Sequence, residues 1–125
     1  MQTVLPPRIL VVEDDQPVRH ALRRHLDRFG FRVDEAESAE DAMRRIEACA
    51  YDLVLMDVHL PGMSGVELAG FLAAAQPEAP VVLMSGDPDS GVRFEGLTAG
   101  AAAFLRKPFE SSQLYDVLTD VITRD

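Results

Sequence analysis

Three consecutive carboxylates, Glu13, Asp14 and Asp15, end an apolar run that is typical of a buried strand. Adjacent like charges repel one another and resist burial, so such a cluster indicates a solvated turn, a helix cap or a site that receives a cation. Single polar residues also follow three later apolar runs, and these are Asp57, Ser85 and Lys107. If the fold brings the carboxylates, the hydroxyl and the amine together, they could bind a hard cation beside an oxyanion.

Five short apolar runs alternate with segments of helical periodicity along the chain. The runs cover residues 9–12, 31–33, 53–56, 81–84 and 102–105. This alternation predicts an α/β domain in which helices pack on both faces of a parallel sheet. The first, third and fourth runs are apolar without alternation, as expected for strands that are covered on both faces. Arg32 and Asp34 interrupt the second run and predict an edge strand.

The segments between the runs carry start signals and apolar faces for five helices. Asp15 is placed to cap the first helix, whose apolar stripe consists of Val18, Leu22, Leu26 and Phe29. Ser38 and Ser64 each stand three positions before an acidic residue, a spacing typical of capping boxes. The apolar face of the last helix is formed by Leu114, Val117, Leu118, Val121 and Ile122.

The fourth helix, predicted between Asp89 and Ala99, differs from the others because it contains Gly91 and Gly96. Each glycine costs about 1 kcal/mol relative to alanine inside a helix, so this element is predicted to be the least stable. The alternative is that both glycines only permit close packing.

Right-handed crossovers place the carboxyl ends of all five strands along one edge of the sheet, where open α/β sheets bind ligands. Carboxylates that converge there from two neighbouring strands predict a site for Mg²⁺. Lys107 is the only lysine in the chain, against eleven arginines, and its compact ammonium suits an oxyanion. With Ser85 as a hydrogen-bond donor, these residues predict a phosphoryl-transfer site in which Asp57 is the nucleophile and becomes an acyl phosphate.

Length and composition limit the function classes. The 125 residues, 47% of them hydrophobic, suit one domain spanning residues 1–125. No window approaches the roughly 18 apolar residues of a membrane span, so we expect a cytoplasmic protein without membrane contact. The net charge of −9 argues against direct binding of nucleic acid. One cysteine, Cys49, excludes an internal disulfide and has no predicted role.

Four motifs, in this order, resemble the response-regulator receiver domain of bacterial two-component signalling. They are ILVVEDD at 9–15, DLVLMDVHLPGMSG at 52–65, VVLMSG at 81–86 and GAAAFLRKPF at 100–109. The resemblance covers essentially the whole sequence. It implies a flavodoxin-like, doubly wound (βα)5 domain with strand order 2-1-3-4-5, an order known for a chemotaxis receiver. It also implies a signalling domain rather than a metabolic enzyme, and the chain contains no predicted output domain.

The resemblance assigns roles to the residues at the sheet edge. It makes Asp57 the phosphoacceptor, with Asp14 and the backbone carbonyl of His59 as further Mg²⁺ ligands. Glu13 assists the metal through water, and Lys107 pairs with the phosphoryl group. The alternative is that Glu13 and Asp14 are acidic residues of a solvated turn.

The resemblance also implies which residues transmit the phosphorylated state and which residues set its lifetime. Ser85 takes the hydroxyl position that follows the phosphoryl group, and Phe104 takes the aromatic switch position. The alternatives are that Ser85 simply starts a turn and that Phe104 is simply a core residue. His59 and Asp87 flank the path of the hydrolytic water. Because imidazole changes charge near neutral pH, one hypothesis is that His59 makes dephosphorylation depend on pH between about 6 and 8. The alternative is that His59 supplies only its carbonyl. Family members often have a cis peptide bond before the residue equivalent to Pro108.

The implied partners are a sensor histidine kinase or histidine phosphotransferase and a downstream output protein or domain. A homodimer through the fourth and fifth helices is a further possibility. The main alternative is a receiver that serves as an unphosphorylated interaction module. A dehalogenase-like phosphatase would need a second aspartate where His59 stands, and a flavin mononucleotide module would need a phosphate loop where the acidic residues 13–15 stand. His20 and His25 receive no role.

Overall fold

A computed structural model of the chain describes residues 5–87 and 90–124. Strands and helices alternate in the order β1 (Arg8–Val12), α1 (Gln16–Arg28), β2 (Arg32–Ala36), α2 (Ala39–Ala48), β3 (Leu53–Asp57), α3 (Gly65–Ala75), β4 (Val81–Ser85), α4 (Ser90–Ala99), β5 (Ala103–Arg106) and α5 (Ser111–Ile122). All strand pairs are parallel, in the order β2-β1-β3-β4-β5. The predicted flavodoxin-like α/β fold and the 2-1-3-4-5 order are confirmed.

Each face of the sheet carries its own apolar core, because successive strand residues point to opposite faces. On one face, α1 and α5 cover side chains that include Ile9, Val11, Leu53, Leu55, Val82 and Met84. On the other face, α2 and α3 cover side chains that include Leu10, Val12, Val54, Met56, Val81 and Leu83, with Val92 of α4 packed alongside. Within the described ranges, no helix is both long and apolar enough to cross a bilayer.

The predicted edge strand is confirmed, but it extends to Ala36 rather than stopping at residue 33. Asp34 and Glu35 continue the strand because polar partners satisfy both carboxylates beside the sheet. The hydroxyl of Tyr51 donates to Oδ2 of Asp34 at 2.7 Å. The guanidinium of Arg19 donates to Oε1 of Glu35 at 3.0 Å. A local hydrophobicity pattern cannot reveal these partners, because they lie elsewhere in the chain.

The three predicted N-cap residues are present, but the predicted capping boxes at Ser38 and Ser64 are formed only in the half where serine accepts. Oδ2 of Asp41 accepts instead from the N–H of Glu37 at 3.3 Å. Backbone N–H groups donate to Oδ1 of Asp15 at 3.2 Å, to Oγ of Ser38 at 3.1 Å and to Oγ of Ser64 at 3.1 Å. Val18 lies on the predicted apolar stripe of α1, since it lines one groove with Leu22, but it is 36% exposed. It stands in the first turn of α1.

Gly65, the first residue of α3, is in close backbone contact with the end of β3. Its N–H donates to the carbonyl of Val58 at 2.7 Å. A Cβ at Gly65 would lie 2.3 Å from the backbone oxygen of Asp57, a distance that only glycine permits. This close approach couples the position of Asp57 to the position of α3.

Helix α4 is packed loosely on its outer side and tightly at one point on its inner side. Phe94 and Leu97 are 72% and 39% exposed. Gly96 is buried, and a Cβ there would lie 2.7 Å from Cδ1 of Leu83. Close packing therefore accounts for Gly96. The predicted helix start at Asp89 lies outside the described residues.

Gly65→Ala is expected to destabilise the domain, because its methyl group would overlap backbone atoms that cannot rotate away. Overpacking of this kind costs about 1–3 kcal/mol or more. Gly70→Ala is the matched control in the same helix, since its nearest contact, to the carbonyl oxygen of Ala99, would be 3.5 Å. That variant should gain up to about 1 kcal/mol from helix propensity. Urea denaturation followed by circular dichroism measures both, and equal stability of the two variants would contradict the prediction.

Amide hydrogen exchange across residues 87–100 is expected to be faster than in α5, which contains no glycine, by more than about tenfold. Two helical glycines at about 1 kcal/mol each, together with the exposed outer face, lower the local stability. If this segment takes part in the implied switch, its exchange also changes on phosphorylation. Exchange measured by mass spectrometry in both states tests this, and uniform protection in the two states would refute it.

Candidate functional site

The carboxyl ends of β1, β3, β4 and β5 bring Glu13, Asp57, Ser85 and Lys107 to one edge of the sheet. Val12 pairs with Met56 across β1 and β3, so Glu13 and Asp57 are the next residues on adjacent strands. On the other side of the site, the N–H of Lys107 donates to the carbonyl of Ser85 at 2.8 Å. The Lys107–Pro108 peptide bond is cis.

The ammonium of Lys107 lies between two buried carboxylates. It donates to Oε1 of Glu13 at 2.9 Å and also to Oδ2 of Asp57. Glu13 and Asp57 are only 3% and 6% exposed. Carboxylates so deeply buried need a paired cation, because desolvation otherwise disfavours their charged form. Lys107 supplies that cation to both.

The second oxygen of Asp57 is bound by the backbone that follows the strand. Oδ1 accepts a hydrogen bond from the N–H of His59 at 2.7 Å. The carboxylate of Asp57 is therefore held at both oxygens, by an ammonium on one side and a peptide N–H on the other. The side chain of His59 is exposed.

Burial and charge shift the acid–base properties of the ion-paired residues. Burial raises the pKa of Glu13; the hydrogen bond from Lys107 opposes this rise and the carboxylate of Asp57 adds to it. For Lys107, burial lowers the pKa, but the bonds to Asp57 and Glu13 outweigh burial and leave the pKa raised. Lys107 thus carries its positive charge at neutral pH.

The other residues singled out in the sequence lie around this ion pair. Asp14 is exposed next to Glu13, and its charge adds to the rise in the pKa of Glu13. The hydroxyl of Ser85, fully buried, accepts a hydrogen bond from the N–H of Asp87 at 3.0 Å. Phe104 is partly buried against the core beneath α2, α3 and α4.

The donor types at this edge suit a hard divalent cation, since carboxylate and carbonyl oxygens are the ligands that Mg²⁺ prefers. In the part of the chain that the structure describes, however, no three side chains of the types His, Cys, Asp and Glu are arranged as a metal-binding group. The ammonium of Lys107 stands between Glu13 and Asp57, the two buried oxygen donors.

Arg19 is a site neighbour that no sequence pattern identified. Its Nη1 donates to the backbone carbonyl of Glu13 at 2.8 Å, and its Nε donates to Glu35 at 3.0 Å. These partners stand 6 and 16 residues from Arg19, and both contacts follow from the packing of α1 beside β2. Gly65 was also missed as a site residue, although the glycine directly after the cap Ser64 signals a close backbone approach.

Comparison with known proteins adds a family assignment to this geometry. The sequence model of the family described as "Response regulator receiver domain" matches residues 9–119. The transcriptional activator protein PfeR of Pseudomonas aeruginosa is 40% identical over 118 residues, which are 94% of this chain and 38% of PfeR. The chain spans about half or less of the length of the curated relatives that it matches.

Two solved structures share both the fold and part of the sequence. The receiver domain of NtrX from Brucella abortus is 29% identical, with a TM-score of 0.89 and coverage of 94% of this chain and 99% of that one. The response regulator protein TrrA from Thermotoga maritima, solved in complex with Mg(2+)-BeF, is 31% identical, with a TM-score of 0.84 and coverage of 92% and 98%. With the sequence match over 9–119, they show that this chain belongs to the response regulator receiver domain family of two-component signalling.

Proposed function

We propose that this receiver domain accepts a phosphoryl group on Asp57 from a sensor histidine kinase or a histidine phosphotransferase, with Mg²⁺ as cofactor. The observation that carries the proposal is the ammonium of Lys107, the only lysine in the chain, bound to the carboxylate of Asp57 at the sheet edge. Family membership and the structure of TrrA with Mg(2+)-BeF support it. Such a protein is a signalling receiver that promotes its own phosphorylation and dephosphorylation. We propose that it acts in the cytoplasm.

In the proposed step, an oxygen of Asp57 attacks phosphorus as the bond from phosphorus to the donor imidazole nitrogen breaks. The product is an acyl phosphate, and the electron pair of the broken bond returns to the imidazole, which then takes up a proton. Lys107 remains charged and donates to a phosphoryl oxygen, which offsets the negative charge that gathers in the transition state. The N–H of His59 keeps the carboxylate oriented.

The charge balance at the site supports the proposed role of a divalent cation. The carboxylates of Glu13, Asp14 and Asp57 with the ammonium of Lys107 leave two net negative charges at the site. An incoming phosphoryl group would meet net repulsion there. Bound Mg²⁺ would supply the two positive charges that remove this repulsion. We propose Asp14, Asp57 and the carbonyl of His59 as its ligands, with Glu13 assisting through water.

We propose that Ser85 and Phe104 transmit the phosphorylated state. Ser85 ends β4 fully buried beside Asp57, and Phe104 packs next to Gly96 of α4. A change in the hydrogen bond of Ser85 could therefore reach α4 through packed neighbours. Phe104 lacks the hydroxyl of the tyrosine often found at this position in the family, so packing alone would carry the signal.

Two exposed apolar surfaces fit the proposed partners. A groove beside Lys107 is lined by Val18, Leu22, Pro108 and Phe109, and its position suits the kinase or phosphotransferase that must reach Asp57. On another side of the molecule, Phe94 and Leu97 of α4 are exposed, whereas Tyr115 of α5 packs against the ring of Phe29 at the end of α1. We propose that this second surface binds a downstream output protein or domain, or a second copy of the chain.

Incubation with acetyl phosphate and Mg²⁺ tests the proposed chemistry. We expect a single added phosphoryl group by intact mass spectrometry, and its loss in Asp57→Asn or without Mg²⁺. Asp52→Asn is the matched control, since Asp52 stands at the opposite end of β3 and binds the N–H of Arg8. It should be phosphorylated like the unaltered protein.

Failure of this experiment has a specific meaning. If the unaltered protein gains no phosphoryl group and does not bind beryllofluoride, the proposal is wrong and the domain is an unphosphorylated interaction module. Phosphorylation that persists in Asp57→Asn would show that another residue is the acceptor.

His59 and Asp87 are proposed to set the lifetime of the acyl phosphate. The side chain of His59 is exposed beside Asp57, where it can affect the approach of water. We expect His59→Ala to change the half-life of the phosphorylated protein by more than about twofold while leaving its yield unchanged, as measured by the decay of the phosphorylated mass. An unchanged half-life would mean that His59 contributes only its backbone.

A further inference from the structure

Both backbone polar groups of Glu13 are fixed by residues of neighbouring elements. Its N–H donates to the carbonyl of Ala36, at the end of β2, at 3.1 Å. Its carbonyl accepts from Nη1 of Arg19, in α1, at 2.8 Å. The peptide before Glu13 is therefore held by β2, and the peptide that links Glu13 to Asp14 is held by Arg19, at the point where the chain turns into the site.

Glu35 holds the guanidinium of Arg19 in place. Nε of Arg19 donates to Oε1 of Glu35 at 3.0 Å, and the two side chains are only 11% and 17% exposed. Because the guanidinium is planar and rigid, fixing Nε also fixes the direction in which Nη1 donates. Ala36 and Glu35 are consecutive residues of β2, so the end of one strand anchors both sides of the Glu13 turn.

We infer that Arg19 is a positioning residue that, held by Glu35, sets the direction of the Glu13–Asp14 peptide and thereby the affinity of the site for a divalent cation. Asp14 is exposed, and packing does not restrain its carboxylate. The direction of the preceding peptide is then the main constraint on where that carboxylate points. Residues that orient metal ligands in this way typically change metal affinity by about 10- to 100-fold when they are replaced.

Arg23 provides a control within the same cluster. Its Nη1 donates to Oε2 of Glu35 at 2.9 Å, so it shares the acid that holds Arg19. It has no hydrogen bond to Glu13 among the contacts of the described residues, and its side chain is 48% exposed. The imidazole of His20 also lies near this acid, with Nε2 at 3.6 Å from Oε1. Replacing Arg23 removes the same charge near the site but leaves the carbonyl of Glu13 bound.

The control matters because charge and positioning act in opposite directions. Removing a positive charge near the site should strengthen the binding of a cation, whereas releasing the peptide should weaken it. Arg19→Lys keeps the charge but replaces the rigid planar fork by one ammonium. Weaker binding in both Arg19→Gln and Arg19→Lys would therefore identify positioning as the cause.

The test uses the full 125-residue chain and Mg²⁺ alone, and it rests on the proposed function. The dissociation constant for Mg²⁺ is measured by calorimetry at a temperature where urea denaturation shows each variant to be folded. The ¹³C shift of the Glu13 carbonyl is measured without metal. We expect both Arg19 variants to bind Mg²⁺ about tenfold more weakly and to shift this carbonyl signal. Arg23→Gln should stay within about twofold and leave the signal in place.

A double-substitution cycle tests the part played by Glu35. Since Glu35 acts through Arg19, adding Glu35→Gln to Arg19→Gln should weaken Mg²⁺ binding no further, whereas Glu35→Gln alone should weaken it. Additive effects of the two substitutions would contradict this dependence.

The remaining outcomes separate this inference from the proposed function. Unchanged Mg²⁺ affinity in the Arg19 variants, or equal weakening in Arg23→Gln, would overturn the inference while the unaltered protein still binds Mg²⁺ and is phosphorylated. Failure of the unaltered protein to bind Mg²⁺ would overturn the proposed function and this inference together.

Discussion

The site depends on one constraint, which is that two carboxylates buried on adjacent strands must share a cation. Glu13 and Asp57 are almost completely enclosed, and each hydrogen-bonds to the ammonium of Lys107. Leaving either carboxylate unpaired would cost several kcal/mol in an interior of low dielectric. Parallel pairing of β1 with β3 brings the acids together, and the turn after β5 provides the only lysine of the chain.

The elements around the site hold these three charged side chains in their relative positions through backbone contacts. Gly65 lets α3 begin against the carbonyl of Asp57, and the N–H of His59 holds the carboxylate of the same residue. On the other side, the guanidinium of Arg19 binds the carbonyl of Glu13. The acidic side chains are thus positioned from rigid elements, which limits how far they move when their ionic partners change.

Local patterns predicted most of the fold, and tertiary contacts account for what they missed. Apolar runs identified all five strands, and serine and aspartate caps identified the starts of three helices, because these signals act over a few residues. The same patterns ended β2 too early, since the partners of Asp34 and Glu35 lie elsewhere in the chain. Asp57 and Lys107 could be predicted because strand ends converge in this topology. Arg19 could not, since nothing local distinguishes it from ten other arginines.

The shared ammonium also bears on how the site would respond to the proposed phosphorylation. Lys107 is bound to Glu13 and Asp57 at once, which engages two of its three N–H donors and leaves the third for a phosphoryl oxygen. Burial raises the pKa of Glu13, so the charged form of this acid is disfavoured even with the hydrogen bond from Lys107. A divalent cation near Asp14 would give Glu13 a second positive partner and free Lys107 to follow the phosphoryl group. The backbone N–H of Lys107 donates to the carbonyl of Ser85. A movement of Lys107 would therefore first displace the end of β4, between Asp57 and α4.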